Sequence, residues 1–217
     1  MNKDHFGRDL KPENILFKGK RIDSPLKIID FGKSKILKYN QKVTELAGSL
    51  YYVAPEVLSG NAYNETCDLW SCGTLLYMML IGHPPFFGDN HRIVAMQIKE
   101  GKVDYTSIVN ACSSLDKEWN YISTEAKELV QKLLCRDPVQ RLSAKDALQS
   151  AWIKKYGEKD KISADEMKLP LKKLQNFRTQ MSLQKAVLNV LHFAIGADIF
   201  GVTTDESING KKIEGAV

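Results

Sequence analysis

A chain of 217 residues with 43% hydrophobic side chains is long enough to bury a substantial core. Its 31 basic and 26 acidic residues leave a net charge of +5, too balanced to point to nucleic-acid binding. The four cysteines, Cys67, Cys72, Cys112 and Cys135, show neither C-x-x-C spacing nor a nearby histidine pair, which argues against a zinc site or a disulfide framework and fits reduced thiols in a cytoplasmic protein. In chain order, Met1 to Gly7 has no apolar run and is no signal peptide. Residues 8–56 carry short apolar triplets, Ile15-Leu16-Phe17 and Lys27-Ile28-Ile29, between Gly- and Lys-rich loops, which predicts short strands. From Asn64 the period becomes helical, with Leu69, Cys72, Leu76, Met79 and Leu80 at steps of three and four on a segment apolar on nearly every face. That is a central helix stopped by Gly82 and Pro84-Pro85; Leu69 to Ile81 is too short and too interrupted for the ~20 residues of a membrane span. Helices are expected at 90–100, 123–135 and 143–150, the last with a capping-box-like start from Ser143 to Asp146.

After Trp152 a charged linker, Lys154 to Asp165, leads into an amphipathic segment, Leu171 to Ile195. Leu174, Phe177, Met181, Leu188, Leu191 and Ile195 share one helical face, while Lys172, Lys173, Arg178 and Lys185 add positive charge. Such a helix can lie on a membrane, enter the groove of a calcium sensor, or cover its own domain. Trp70, Trp119 and Trp152 read as core aromatics.

The chemistry concentrates in three short motifs. Phosphoryl transfer needs a carboxylate beside the attacking hydroxyl, a cation near the moving phosphate and an oxygen ligand for magnesium. Asp9, Lys11 and Asn14 supply these within Arg8-Asp9-Leu10-Lys11-Pro12-Glu13-Asn14. The chain then has room for a hairpin that returns at Asp30-Phe31-Gly32, where a carboxylate at a strand end can hold magnesium against phosphates. Ala54-Pro55-Glu56 closes the loop that begins at Asp30. Each motif alone is weak; their order and spacing are not.

With Asp68-x-Trp70-Ser71-x-Gly73 and Arg141, the set resembles the signature of eukaryotic serine/threonine protein kinases. The run Gly48 to Leu58, the Pro84-Pro85-Phe86 turn and Leu171 to Leu191 look like the calcium-dependent protein kinases of the calmodulin-regulated group. The resemblance implies a mainly α (α+β) fold, the C-terminal lobe of the protein-kinase fold with short β-hairpins around the catalytic loop and a C-terminal junction helix, the N-terminal lobe being absent. It divides the chain into a partial kinase domain at 1–153, a linker at 154–170, an autoinhibitory junction helix at 171–195 and a tail at 196–217. The cofactors implied are ATP and Mg2+, with Asp9 as base, Lys11 on the phosphate, and Asn14 and Asp30 on the metal. Lys11 would mark serine/threonine substrates, Ser49, preceded by Gly48, would be the hydroxyl that joins the substrate-binding loop to Asp9 and Lys11, and Glu13 would meet a substrate arginine or stay a solvated loop carboxylate. Phe31 and Gly32 complete the magnesium motif; Glu56 and Arg141 would form a structural ion pair, and Asp68 would anchor the catalytic-loop backbone. Glu45 would stand in for an activation-loop phosphate on Arg8, or else be a solvated glutamate. The implied partners are protein substrates with Ser/Thr near basic residues, and an EF-hand or calmodulin-like domain that brings Ca2+ and captures the face of Leu174, Phe177, Met181, Leu188 and Leu191.

The sequence departs from that pattern at both ends. Gly7 stands where the family has a histidine that packs on the aromatic ring of the magnesium motif, so Phe31 is expected to be unsupported; His5 is out of register. Seven residues precede Arg8, too few for a Gly-rich loop and its partner lysine and glutamate, so a truncated form, natural or from a gene model, and inactive alone, is expected. The loss of an upstream helix would also bare part of the central helix. Asp205, Ser207, Asn209 and Gly210 fit an EF-hand loop whose twelfth position is Ala216, at most a degenerate remnant. The alternatives to an enzyme are a non-catalytic regulatory or substrate-binding fragment and a calmodulin-binding module.

Overall fold

The computed structural model describes residues 4–21, 24–37, 41–103, 105, 122–157 and 168–177. The chain divides into two compact units, Met1–Asn176 and Phe177–Val217, of which the second contributes only Phe177 to the described residues.

The N-terminal part is built from short strands, as the apolar triplets predict. Strand β2 (Ile15–Phe17) pairs antiparallel with β3 (Leu26–Ile28), with Ile15 opposite Ile28 and Phe17 opposite Leu26. This is the hairpin that returns the chain to Asp30. A second ladder, which the sequence pattern did not announce, pairs β1 (Asp4–Phe6) with β4 (Lys35–Leu37). It closes the segment between them into a loop, and Phe6 and Leu37 enter the core at its base.

Helices form the rest: α1 (Pro55–Leu58), α2 (Thr66–Ile81), α3 (His91–Glu100), α4 (Thr124–Leu133), α5 (Ala144–Leu148) and α6 (Ala151–Gly157). Their ends follow local chemistry. Asn90, Ser123 and Ser143 each cap a helix by accepting a backbone N–H with the side chain. Gly82 ends α2 in the left-handed region at φ 102°.

Helix α2 is the axis of the core. Trp70, Tyr77, Met78 and Ile81 are fully buried along it, joined by Val94 and Ile98 of α3 and Val130 of α4. The Trp70 ring stacks on Phe86 at 5.7 Å. No residue of α2 is exposed, contrary to the expected bare apolar surface; the large exposed apolar residues include Leu16, Leu26, Ile28 and Ile36 of the hairpins. One reason is the close approach of α4, whose Leu133 and Leu134 press on Gly73.

Helix α6 continues past Ile153, the expected domain end, and residues 168–177 are helical, beginning before Leu171. Both encroach on the expected linker at 154–170. Lys173 donates from Nζ to the backbone carbonyl of Leu80, and its methylenes lie over Gly82. Of the expected junction-helix face, Leu174 and Phe177 are described, whereas Met181, Leu188, Leu191 and the tail from 196 lie outside the described residues, as does Trp119.

Candidate active site

Strand β1 delivers the chain into the loop that holds Asp9. Asp68, in the first turn of α2, fixes that loop: its two carboxylate oxygens accept the N–H groups of Gly7 at 2.6 Å and Arg8 at 2.9 Å. Burial pushes the Asp68 carboxyl up, and the two N–H groups partly offset the shift. Arg8 takes the left-handed conformation at φ 62°, a sparsely populated state for a residue with Cβ. Its side chain is tied down in compensation. Nη1 donates to Glu45 at 3.1 Å and to the Tyr63 hydroxyl at 3.3 Å, and Nε donates to the carbonyl of Lys33.

Asp9 is buried, and every contact to its carboxylate is a donor. Ser49 Oγ donates to Oδ1 at 2.8 Å; Lys11 Nζ at 3.1 Å and Lys33 Nζ at 2.9 Å both donate to Oδ2. Burial alone would raise this carboxyl. The bonds from Lys33, Ser49 and Lys11 outweigh it and hold the group below its ordinary value. Lys11 also reaches Ser49 Oγ at 3.1 Å, so Asp9, Lys11 and Ser49 form a closed triangle. Gly48 makes that triangle possible. It sits at φ 119°, and a Cβ there would lie 3.1 Å from the Arg8 carbonyl oxygen, so only glycine brings Ser49 this close to the loop.

Asn14, buried at the end of the turn Pro12–Asn14, donates from Nδ2 to the Asp9 carbonyl at 2.9 Å, which leaves its amide oxygen available. Ile29 N–H donates to the Asn14 carbonyl at 2.9 Å, bringing the start of the magnesium motif beside the catalytic loop. Asp30 is exposed, at φ 60°, with Oδ1 accepting from Gly32 N–H at 3.1 Å. Among the described residues no three His, Cys, Asp or Glu side chains cluster for a metal. Two protein oxygen donors completed by phosphate oxygens is nonetheless the donor set that Mg2+ favours, so Asn14 and Asp30 fit that ion in company with a nucleotide. Phe31 is 63% exposed. A Cβ at Gly7 would meet nothing closer than 3.6 Å, so space does not demand glycine there.

Around this centre lie the scaffold residues. Glu45 accepts from Arg8 and from Lys35, and Tyr63 donates its hydroxyl to the Glu45 carbonyl at 2.6 Å. Lys35 first and Arg8 second hold the Glu45 carboxyl low. Glu56 and Arg141 are both buried and meet in a two-pronged pair at 2.7 and 2.9 Å, with the guanidinium stacked 5.2 Å from the Trp70 ring centre. Glu13 lies exposed in the turn that carries Asn14. The sequence reading missed Lys33, Lys35 and Tyr63. Lys33 directly follows Asp30-Phe31-Gly32, which was the available signal.

The family model for the protein kinase domain matches residues 4–153. This chain belongs to the protein kinase domain family. It is similar to calcium-dependent protein kinase 2 of Oryza sativa subsp. japonica, 38% identical over 205 residues that cover 94% of this chain and 36% of that protein. It is also similar to calcium-dependent protein kinase 25 of Arabidopsis thaliana, 40% identical over 184 residues, 85% of this chain and 33% of the relative. Calcium-dependent protein kinase 4 of Plasmodium falciparum is 39% identical over 184 residues, 83% of this chain and 33% of the relative. The chain spans about a third of the length of the curated relatives it matches. Kinase-domain membership gives the closed triangle on Asp9 its context, because the matched span runs from β1 to Ile153 in α6 and holds every site residue from Arg8 to Arg141.

Proposed function

We propose that this chain carries the catalytic loop and substrate-side lobe of an ATP-dependent protein serine/threonine kinase of the calcium-dependent type. The observation that carries the proposal is Asp9, buried and hydrogen-bonded to both Lys11 and Ser49. Bound ATP-magnesium would supply the phosphoryl group and much of the positive charge that draws it. Asp9 accepts the proton of the substrate hydroxyl, for which it stands ionised at neutral pH, its carboxyl held below the ordinary value by Lys33, Ser49 and Lys11. Lys11 steadies the phosphate, Asn14 and Asp30 hold the magnesium, and Ser49 ties the substrate loop to the base. Glu45 on Arg8 does the work of an activation-loop phosphate with less charge and no upstream kinase. The Glu56–Arg141 pair holds the substrate loop to the lobe.

Calcium would act through the C-terminal basic helix, described as far as Phe177; the relatives' names support calcium dependence, and the helix as its route rests on its basic, amphipathic sequence. Its apolar face would dock in an EF-hand partner, with Glu13 beside a substrate arginine. Burial pushes the thiols of Cys67 and of half-buried Cys72 up, Cys72 to about 11, which makes them unreactive thiols of the kind a reduced, cytoplasmic protein would carry. No helix among the described residues is long and apolar enough to cross a membrane.

The exposed Phe31 favours a second reading, a regulatory module that binds substrates without transferring phosphate. One experiment separates the two: phosphate transfer from ATP-magnesium to a serine peptide with nearby arginines, assayed in the protein that carries this chain, with and without calcium and an EF-hand partner. Asp9→Asn should slow transfer by ~10²-fold or more. Transfer that survives Asp9→Asn would refute the assignment of the base. Peptide binding without transfer in the unmodified protein would favour the module.

A further inference from the structure

Lys33 has no part in the scheme above, yet it makes the shorter of the two ammonium contacts to Asp9, at 2.9 Å against 3.1 Å for Lys11. Both ammoniums share one oxygen, Oδ2, because Ser49 occupies Oδ1. One buried carboxylate therefore faces two positive charges, and one charge is left over. The surplus lies toward solvent: the Lys33 side chain is 46% exposed and that of Lys11 22%, whereas that of Asp9 is 4% exposed. Lys33 is also placed, not merely nearby. Its carbonyl accepts from Arg8 Nε, and the turn around it is closed by Ser34 N–H on the Phe31 carbonyl at 2.9 Å.

We propose that Lys33 is a phosphate-binding residue of this site, which with Lys11 forms a two-ammonium cradle for the oxygens of a phosphoryl group. Two like charges on one oxygen repel, and an incoming dianion relieves that repulsion while gaining charge-assisted hydrogen bonds. Lysine suits the task because a flexible point charge can follow the phosphate from Asp9 outward. The phosphoryl group can be the terminal phosphate of a nucleotide or that of a phosphorylated serine; both present the same oxygens. This inference rests on the kinase reading, but it is tested by binding and not by turnover.

The test titrates the 217-residue chain with inorganic phosphate, followed by phosphorus NMR at constant ionic strength. Lys33→Met should weaken binding about tenfold, as the loss of one charge-assisted bond implies. Lys33→Arg should largely retain it, and Lys145→Met, an exposed lysine of α5, should leave it unchanged. A second readout needs no variant: acetylation of Lys33 by an activated ester, mapped by mass spectrometry, should slow when phosphate is present. Repeating the protection with a phosphoserine peptide and with ATP-magnesium identifies the source of the phosphoryl group. No phosphate binding by the unmodified chain, equal or tighter binding in Lys33→Met, or no protection by any of the three probes overturns the proposal. A failed kinase reading looks different: phosphate binding depends on Lys33, but the protein that carries this chain transfers nothing to peptide.

Discussion

At Arg141 the guanidinium has no exposed side-chain surface, and its Nη groups donate to both oxygens of Glu56, itself only 5% exposed. The remaining donors go to the carbonyls of Cys135, Thr66 and Arg136, so the charge is fully hydrogen-bonded across three segments. Removing one partner strands the other charge in the interior. Arg141→Ala should therefore cost ~3–5 kcal/mol of stability, seen as a lowered urea midpoint, and replacing both residues with apolar ones should recover much of it. A loss below ~1 kcal/mol would show that water reaches the pair. Both members were recognised by resemblance in the sequence, since each sits in or beside a motif. The left-handed Arg8 was not. An arginine does not mark that conformation, and it is held there by Asp68, far along the chain, which grips the N–H groups of Gly7 and Arg8.

Among the elements, the contact of α2 with α4 sets the spacing of the core. Gly73 lies where the two helices touch, and a Cβ there would fall 2.8 Å from Leu133 Cβ and 3.0 Å from Leu134 Cδ2. Leu133 Cβ is attached to the backbone and cannot swing away. Alanine would gain ~1 kcal/mol in helix propensity but force the helices apart at ~1–3 kcal/mol of overpacking. Gly73→Ala should accordingly lower the thermal midpoint; a rise would mean that α4 shifts without cost. Helices α2 to α5 were legible in advance, whereas α1 and α6 were not. Ser143 announces α5 by its side chain, and the three-and-four spacing of Leu69, Cys72 and Leu76 announces α2. Strand β1 was not legible, because Asp4-His5-Phe6 is not an apolar triplet of the kind that marks β2.

For the whole molecule, buried Asp9 and half-buried Asp68 at the catalytic loop pull acid stability in opposite directions. Asp9 is held below its ordinary value of 3.8, so its contribution is present above that pH and is lost as the pH falls through its folded value. Asp68 is held above 3.8, so its contribution is full below that value and is lost as the pH rises through its own folded value. Asp9→Asn should be less stable than the unmodified chain at neutral pH, and the gap should narrow as the pH drops to ~3, measured by urea midpoints at both. A gap independent of pH would show that the stabilisation from Asp9 does not depend on its charge.

The sequence alone determined helices α2 to α5, the β2–β3 hairpin and which loops hold the chemistry, because periodicity, caps and motif spacing are carried by neighbouring residues. The triangle of Asp9, Lys11 and Ser49 was half visible in this way: Lys11 is two residues from Asp9, whereas Ser49 was expected by resemblance alone and depends on Gly48 passing the Arg8 carbonyl. Only the tertiary structure decided that Lys33 faces Asp9 and that Lys35 faces Glu45. A lysine's long chain can reach many carboxylates, and its partner is chosen by which loops the fold brings together. Here the pairing of β1 with β4, far apart in sequence and invisible in its pattern, closes the loop that carries them.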